Sequence, residues 1–348
     1  MGKKGIIIMI IIFLVALATF FFLLDNYGLE NIIQVLLEIK LWHIGVIIGI
    51  TFLHYLLFAI RWQRVLRIQG YEVSLKNLII YRLSGYSVSY LTPAADFGGE
   101  PVMAYLLSKD YPEIDMTSSF ASVASNRSLD LIINLIIILI SFFYIMTFFV
   151  LPDNLTFLFY ITLVISIILI VVMYRLVLKE RDPLHRLFTK TRLYKLKSVL
   201  ERKKSIKKFD LMVNKFFHDD RKELKIGFVL ALITNLLLVL GFWVLAKFLG
   251  FDLSAMQALV ARAIDTIVMG AIPVPASIGA GEAGESAWFE IMGLGGVSGF
   301  SYYLILRVNN FFYSFLGLAL LFFKGVWGEV LEITKKAFKK NGLENESD

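Results

Sequence analysis

Apolar residues come in long unbroken runs, not at the alternating or 3.6-residue spacing of a water-soluble fold. Gly5 to Leu24, Leu41 to Ile60, Thr117 to Val150, Leu155 to Leu178, Ile226 to Leu249 and Phe300 to Phe323 each reach the roughly 20 residues that cross a bilayer as a helix. They predict an all-α polytopic membrane protein with about six full spans. Two other apolar stretches do not run through. Residues 77–108 are interrupted at Pro93 and at Gly98 and Gly99, and residues 256–294 at Pro273, Pro275, Gly279 and Gly281. A break facing lipid would leave several backbone groups without partners. Each stretch is therefore expected to be a re-entrant pair of half-helices. Residues 28–39 have the pattern of a short amphipathic helix on the outer surface.

Charge orients these elements. Residues 179–225 carry 16 Lys and Arg against seven Asp and Glu, an excess larger than the net +7 of the whole chain. In a membrane protein such a segment is a cytoplasmic loop. Lys3 and Lys4 before the first span, Arg61, Arg64 and Arg67 after the second, and Lys324, Lys335, Lys336, Lys339 and Lys340 at the end place both termini on the cytoplasmic side, in a multi-pass protein of the plasma membrane. The first run is long for a secretory signal and no small-x-small cleavage site follows it. The expected organisation is an N-terminal span and outer helix (1–40), a first membrane repeat (41–150), a connecting span with the basic loop (151–225), a second repeat (226–324) and a cytoplasmic tail (325–348). Counting crossings, the first broken pair hangs from the cytoplasmic side and the second from the outer side. The repeats then form an inverted-topology pair, an architecture recurrent in secondary transporters. Within the basic loop, Ile206, Phe209, Val213, Phe216 and Phe217 recur at helical spacing and predict an interfacial helix.

The two breaks share more than their glycines. Pro93-Ala94-Ala95-Asp96-Phe97-Gly98-Gly99-Glu100 and Pro275-Ala276-Ser277-Ile278-Gly279-Ala280-Gly281-Glu282 have the same Pro-to-Glu spacing. Each is followed by an apolar helix bearing an arginine, Arg127 in one and Arg307 in the other. Charges inside the apolar zone cost a few kcal/mol each, so they pair or face a wet cavity. Arg82, Arg127, Arg262 and Arg307 all lie in or beside the repeats. Guanidinium is planar, permanently charged and bidentate toward phosphate oxygens, which makes the four arginines candidates for binding a phosphate headgroup. Glu100, Asp130, Asp265, Glu282 and Glu285 are the candidate ion-pair or coupling carboxylates, with Arg127 and Asp130, and Arg262 and Asp265, three apart on one helical face. His54 lies in the second span, where a packed, hydrogen-bonded imidazole is the commoner role and a proton relay the rarer one.

Composition removes other classes. With 58% apolar residues in 348, the chain fills one membrane domain and leaves no room for a soluble catalytic one. Without cysteine, disulfides and thiolate chemistry are excluded, and four scattered histidines have no metal-ligand spacing. Gly279, Gly281 and Gly284 match a dinucleotide fingerprint, but no strand pattern precedes them and no acid follows at the required distance. Of the Asn-x-Ser/Thr sites, Asn126-Arg127-Ser128 falls in a helix and Asn154-Leu155-Thr156 in a tight turn, and neither suits glycosylation. No cofactor, metal, nucleic acid or enzymatic chemistry is expected.

The stretches at 93–101 and 273–282, the Asn126-Arg127-Ser128-Leu129-Asp130 helix start and Arg307-Val308-Asn309-Asn310 resemble the membrane domain of lysylphosphatidylglycerol synthases and its stand-alone flippase-like relatives. The resemblance runs from the second span to the last. It departs at Asn126, where the family pattern has Glu, and at Ala276-Ser277, where it has Gly-Gly. It implies movement of a phospholipid or a polyprenyl-phosphate sugar between leaflets, and a glycosyltransferase as partner. The soluble aminoacyl-transfer domain of the synthases is not present in this sequence, so lipid aminoacylation is not expected. The reading is a transporter or flippase for a phosphate-bearing lipid. The alternative is a non-transporting scaffold that docks a glycosyltransferase or other lipid-modifying partner through 179–225.

Overall fold

The computed structural model describes residues 3–92, 98–150, 153–175 and 203–325. Twelve α-helices account for nearly all of them, and no strand occurs among the described residues. In chain order they are α1 (Lys3–Tyr27), α2 (Leu29–Leu37), α3 (Leu41–Gln69), α4 (Leu75–Leu91), α5 (Glu100–Asp110) and α6 (Met116–Phe148). There follow α7 (Asp153–Met173), α8 (Lys203–Asn214), α9 (Arg221–Phe248), α10 (Ala255–Ala271), α11 (Ala280–Ile291) and α12 (Gly296–Phe323). Pro93 and the basic segment 179–202 lie outside the described residues.

Among the described residues four helices, α3, α6, α9 and α12, are each long and apolar enough to cross a membrane. A fifth candidate lies in α1, a helix of 25 residues, whose residues 13–27 form with residues 29–37 of α2 a pair bent by 83°. The bend falls at Gly28, whose φ of 74° is open to glycine. The expected span 155–178 is described as far as residue 175, where it is the 21-residue helix α7, apolar from Phe159 to Met173. The polarity of the bundle is that of a protein in lipid. Phe143, Ile165, Ile168, Val172, Leu236, Val308 and Phe315 are exposed, while Arg61, Asp130, Asp265, Glu282, Glu285 and Arg307 are buried.

From α3 onward the succession repeats. A long helix, a 17-residue helix, a break, a short helix and a second long helix occur as α3–α6 and again as α9–α12. The starts pair as Leu41 with Arg221, Leu75 with Ala255, Glu100 with Ala280 and Met116 with Gly296, a constant offset of 180 residues. Both 17-residue helices open on a serine N-cap, Ser74 accepting from the Asn77 N–H and Ser254 from the Gln257 N–H. The halves are interleaved. α4 packs on α12 and α10 on α6, while α3 packs along α9. Gly317 permits the first of these crossings, since a Cβ there would overlap the Leu83 carbonyl and the Ser87 hydroxyl of α4.

The segment around α8 is built differently from the expected interfacial helix. Met212, Val213, Phe216 and Phe217 are buried in the core formed by α3, α4, α5 and α6, and Lys208 reaches Asp115, the N-cap of α6, at 2.9 Å. The spacing of its apolar residues was that of a one-sided helix, but the surface it covers is protein.

Candidate functional site

A cavity of about 130 Å³ lies where α3, α4, α6, α9, α10 and α12 converge. Its wall is polar for so apolar a chain. Thr51 and His54 come from α3, Arg82 from α4, Arg127, Asp130 and Asn134 from α6, Asn235 from α9, Arg262, Asp265 and Thr266 from α10, and Asn309 and Asn310 from α12. Equivalent positions of the repeats meet here. Arg82 and Arg262 are each the eighth residue of a 17-residue helix, and Asp130 and Asn310 each follow by three the arginine of their long helix.

The carboxylates are held by arginines, but not in the pairs that sequence spacing suggests. Asp130 takes both terminal nitrogens of Arg61 at 2.8 and 2.5 Å, and Arg61 Nε donates to Asn126 Oδ1 at 2.6 Å. Asn235 Nδ2 donates to the same carboxylate at 3.2 Å, so one charge pair ties α3, α6 and α9 together. Arg61 is 0% exposed. It is thus a core residue, not one of three flanking charges. Arg127 turns instead to Glu100 across the first break, at 3.2 Å. The i,i+3 expectation holds for Arg262 and Asp265, at 3.1 Å, with Arg262 also donating to the Thr266 hydroxyl and Asp265 accepting from Tyr303 at 3.2 Å.

Arg307 stands outside the cavity wall and is fully engaged in the second break. Its Nε and Nη2 lie 2.7 and 2.5 Å from Glu282 Oε1, and Nη1 and Nη2 donate to the Ala276 and Ser277 carbonyls at 2.7 and 3.4 Å. The other Glu282 oxygen accepts the Gly279 N–H at 2.9 Å. Ala276 and Ser277, the positions where the family pattern has Gly-Gly, are left-handed, with φ of 55° and 50°. Such conformations cost about 1–2 kcal/mol in a residue with a Cβ. The guanidinium therefore braces a strained turn. Gly279 is left-handed too, and a Cβ on it would overlap the Ala16 carbonyl of α1. Gly281 and Gly99, by contrast, have ordinary φ and are places of close helix approach. Pro273 and Pro275 bracket the start of the break, where Pro275 begins a single 3₁₀ turn.

Two of the buried charged side chains, Glu285 and Arg82, have no ionic partner among the described residues. Both carboxyl oxygens of Glu285 are buried and make no hydrogen bond; the residue lies behind the cavity, not in its wall. Arg82 is the other. Its Nε is buried without a partner, and its guanidinium lies over the rings of Phe58 (4.5 Å), Tyr55 (5.4 Å) and Tyr86 (6.0 Å). Around the cavity Arg61, Arg127 and Arg262 are matched by Asp130, Glu100 and Asp265. The charge of Arg82 is unmatched, and it lines the empty volume.

Residues 6–317 match the family described as the lysylphosphatidylglycerol synthase TM region. The chain is 33% identical over 130 residues to a UPF0104 membrane protein of Methanothermobacter thermautotrophicus, a match covering 37% of each chain. It is 32% identical over 127 residues to a UPF0104 membrane protein of Methanocaldococcus jannaschii, covering 36% of each. The chain thus spans little more than a third of the length of these curated relatives. No solved structure matches it.

Proposed function

The chain belongs to the lysylphosphatidylglycerol synthase TM region family, and we propose that it carries a phosphate-bearing lipid between leaflets, holding the headgroup in the cavity while the tails stay in the bilayer. The observation that carries this reading is Arg82. A guanidinium with no carboxylate, in a cavity whose other charges are paired, is a site for an anion brought from outside. Arg127 and Arg262 stand beside it to complete the grip. A polyprenyl phosphate, with or without a sugar, is the first candidate and a glycerophospholipid the second. The hydroxyls of a sugar or glycerol headgroup suit the asparagine and threonine side chains of the wall.

In this reading the repeats are inverted, with six spans, both broken pairs re-entrant and the protein in the plasma membrane with both termini cytoplasmic. The constant 180-residue register and the crossed packing of α4 on α12 and α10 on α6 support it. Glu100 and Glu282 then hold arginines in place, and no covalent step is required of the protein.

Binding of polyprenyl phosphate and of phosphatidylglycerol to the detergent-solubilised protein tests the proposal, beside the Arg82→Gln variant and followed by a leaflet-exchange assay in liposomes. A charge-assisted hydrogen bond contributes about 1.5–3 kcal/mol, so Arg82→Gln should weaken binding roughly ten- to 150-fold and slow exchange in step. If parent and variant bind alike, the scaffold reading takes its place. Deletion of 183–202 should then abolish partner docking. Deletion must stop before α8, because Met212 to Phe217 belong to the core.

A further inference from the structure

His54 is the fourteenth residue of α3, buried, and in the cavity wall. Its Nδ1 lies 3.0 Å from the carbonyl oxygen of Thr234, the fourteenth residue of α9, so the contact joins equivalent positions of the two repeats. A carbonyl only accepts, which puts the proton on Nδ1. Nε2 is thereby left for whatever the cavity holds.

The groups around the imidazole set what Nε2 can do. Arg82 and Tyr86 face the cavity from α4, Arg127 and Asp130 from α6, and Arg262 and Asp265 from α10; Tyr55 adjoins it on α3, and α9 and α12 contribute no charged side chain. The carboxylate of Asp130 is committed to Arg61, and that of Asp265 to Arg262. What remains in the field of the ring is the unmatched charge of Arg82. A second proton on the ring is unfavourable beside that guanidinium while the cavity is empty. It becomes favourable when an oxyanion sits between them.

Building on the transport reading, we propose that His54 is a proton-binding site coupled to occupancy of the cavity. It takes one proton from solvent as a phosphate-ester oxyanion enters, Nε2–H donates to that oxyanion, and the proton leaves when the anion does. No covalent bond to the ligand is made or broken. The anion and its proton enter together, so one unit of charge less is carried through the apolar zone.

The test uses two phosphodiesters whose own charge is constant across the range: dioctanoyl phosphatidylglycerol for the lipid and dimethyl phosphate for the bare anion. Affinity and proton uptake are measured from about pH 5.5 to about pH 8 for the parent and for His54→Gln, whose amide N–H can still reach the Thr234 carbonyl. In the parent, affinity should rise as pH falls, by up to tenfold per pH unit, with close to one proton taken up per ligand. The variant should show neither. Binding of both probes would mark a general phosphodiester site, and binding of the lipid alone a site that also needs the tails. Equal slopes in parent and variant overturn the proposal. Should the variant bind too weakly to measure, nitrogen NMR of the parent decides, because only four histidines contribute signals and the one missing in the variant is His54. A ring that becomes doubly protonated on saturation supports the coupling, and one that stays neutral overturns it. If neither probe binds the parent at any pH, the transport reading fails first and the coupling falls with it.

Discussion

Replacing Arg307 should damage the fold before it touches the ligand. Arg307→Met removes both contacts to Glu282 Oε1, at 2.5 and 2.7 Å, and the donors to the Ala276 and Ser277 carbonyls. Glu282 would be left wholly buried, with the Gly279 N–H as its remaining support. Breaking a buried pair in this way costs about 3–5 kcal/mol, a shift of roughly 150- to 5,000-fold in the unfolding constant. Glu282→Gln should cost less, since Arg307 keeps its two carbonyls and the amide oxygen can still accept. The double variant should be more stable than the sum of the singles implies, because neither leaves the other's charge uncovered. Reversible unfolding in mixed micelles, followed by tryptophan fluorescence, measures all three, with Trp288 buried on α11 as a local reporter. Arg82→Gln is the control, expected within about 1 kcal/mol of the parent because it leaves no buried carboxylate behind. The reasoning is refuted if Arg307→Met unfolds like the parent yet loses phosphatidylglycerol binding, for the arginine would then be a headgroup ligand and not a brace.

Other perturbations probe separate parts of the fold. Changing Ala276 and Ser277 to glycine should relieve left-handed strain of about 1–2 kcal/mol per site, offset by about 0.4–1 kcal/mol from the looser unfolded chain, and so raise the unfolding midpoint slightly; a lower midpoint would show that the turn is not strained. Gly317→Ala should cost about 1–3 kcal/mol, as overpacking does, because the new methyl must push α4 away, and Gly45→Ala, with open space around it, serves as its comparison in the same unfolding series. Burial pushes the Asp115 carboxyl up, but its bonds from Ser118 and Lys208 more than offset this and hold it below the usual carboxylate range. The stabilisation is therefore present above the unfolded value of about 3.9 and lost as pH falls through the lower folded value. It amounts to less than about 1 kcal/mol at so exposed a pair, and Asp115→Asn should flatten that part of the acid-unfolding profile.

The long apolar helices and both breaks are legible in the sequence because lipid demands uninterrupted hydrophobicity and a break demands proline or glycine. The convergence of Arg82, Arg127 and Arg262 on one cavity is legible too, as charge too costly to leave facing lipid. Pairing is not. Arg127 and Asp130 lie three apart, yet each reaches across to another helix, Arg127 to Glu100 and Asp130 to Arg61. Tertiary neighbours outweigh an i,i+3 contact whose isolated worth is only a few tenths of a kcal/mol. Arg61 is hidden by company, since its neighbours Arg64 and Arg67 have the spacing of flanking charges, although Arg64 pairs with Glu223 of α9 at 2.7 Å. A signal did exist. His54, Phe58, Arg61 and Val65 fall at helical spacing on one buried face of α3, so Arg61 belongs to a core stripe. The covering of α8 by protein instead of lipid had no such signal, because an amphipathic face reads the same whichever apolar surface it meets.

The crossed packing of α4 on α12 and of α10 on α6 bears on how the chain is made. More than 200 residues separate the end of α4 from the start of α12, against which it must lie. At about 5–20 residues per second of synthesis, α4 exists for roughly 10–40 s before its partner emerges. During that time Arg82 has no cavity around it, and the face of α4 that will meet Gly317 is bare. The first half can be inserted on its own but cannot be completed on its own, so the insertion machinery has to shelter an unfinished, charge-bearing intermediate until the last helix arrives.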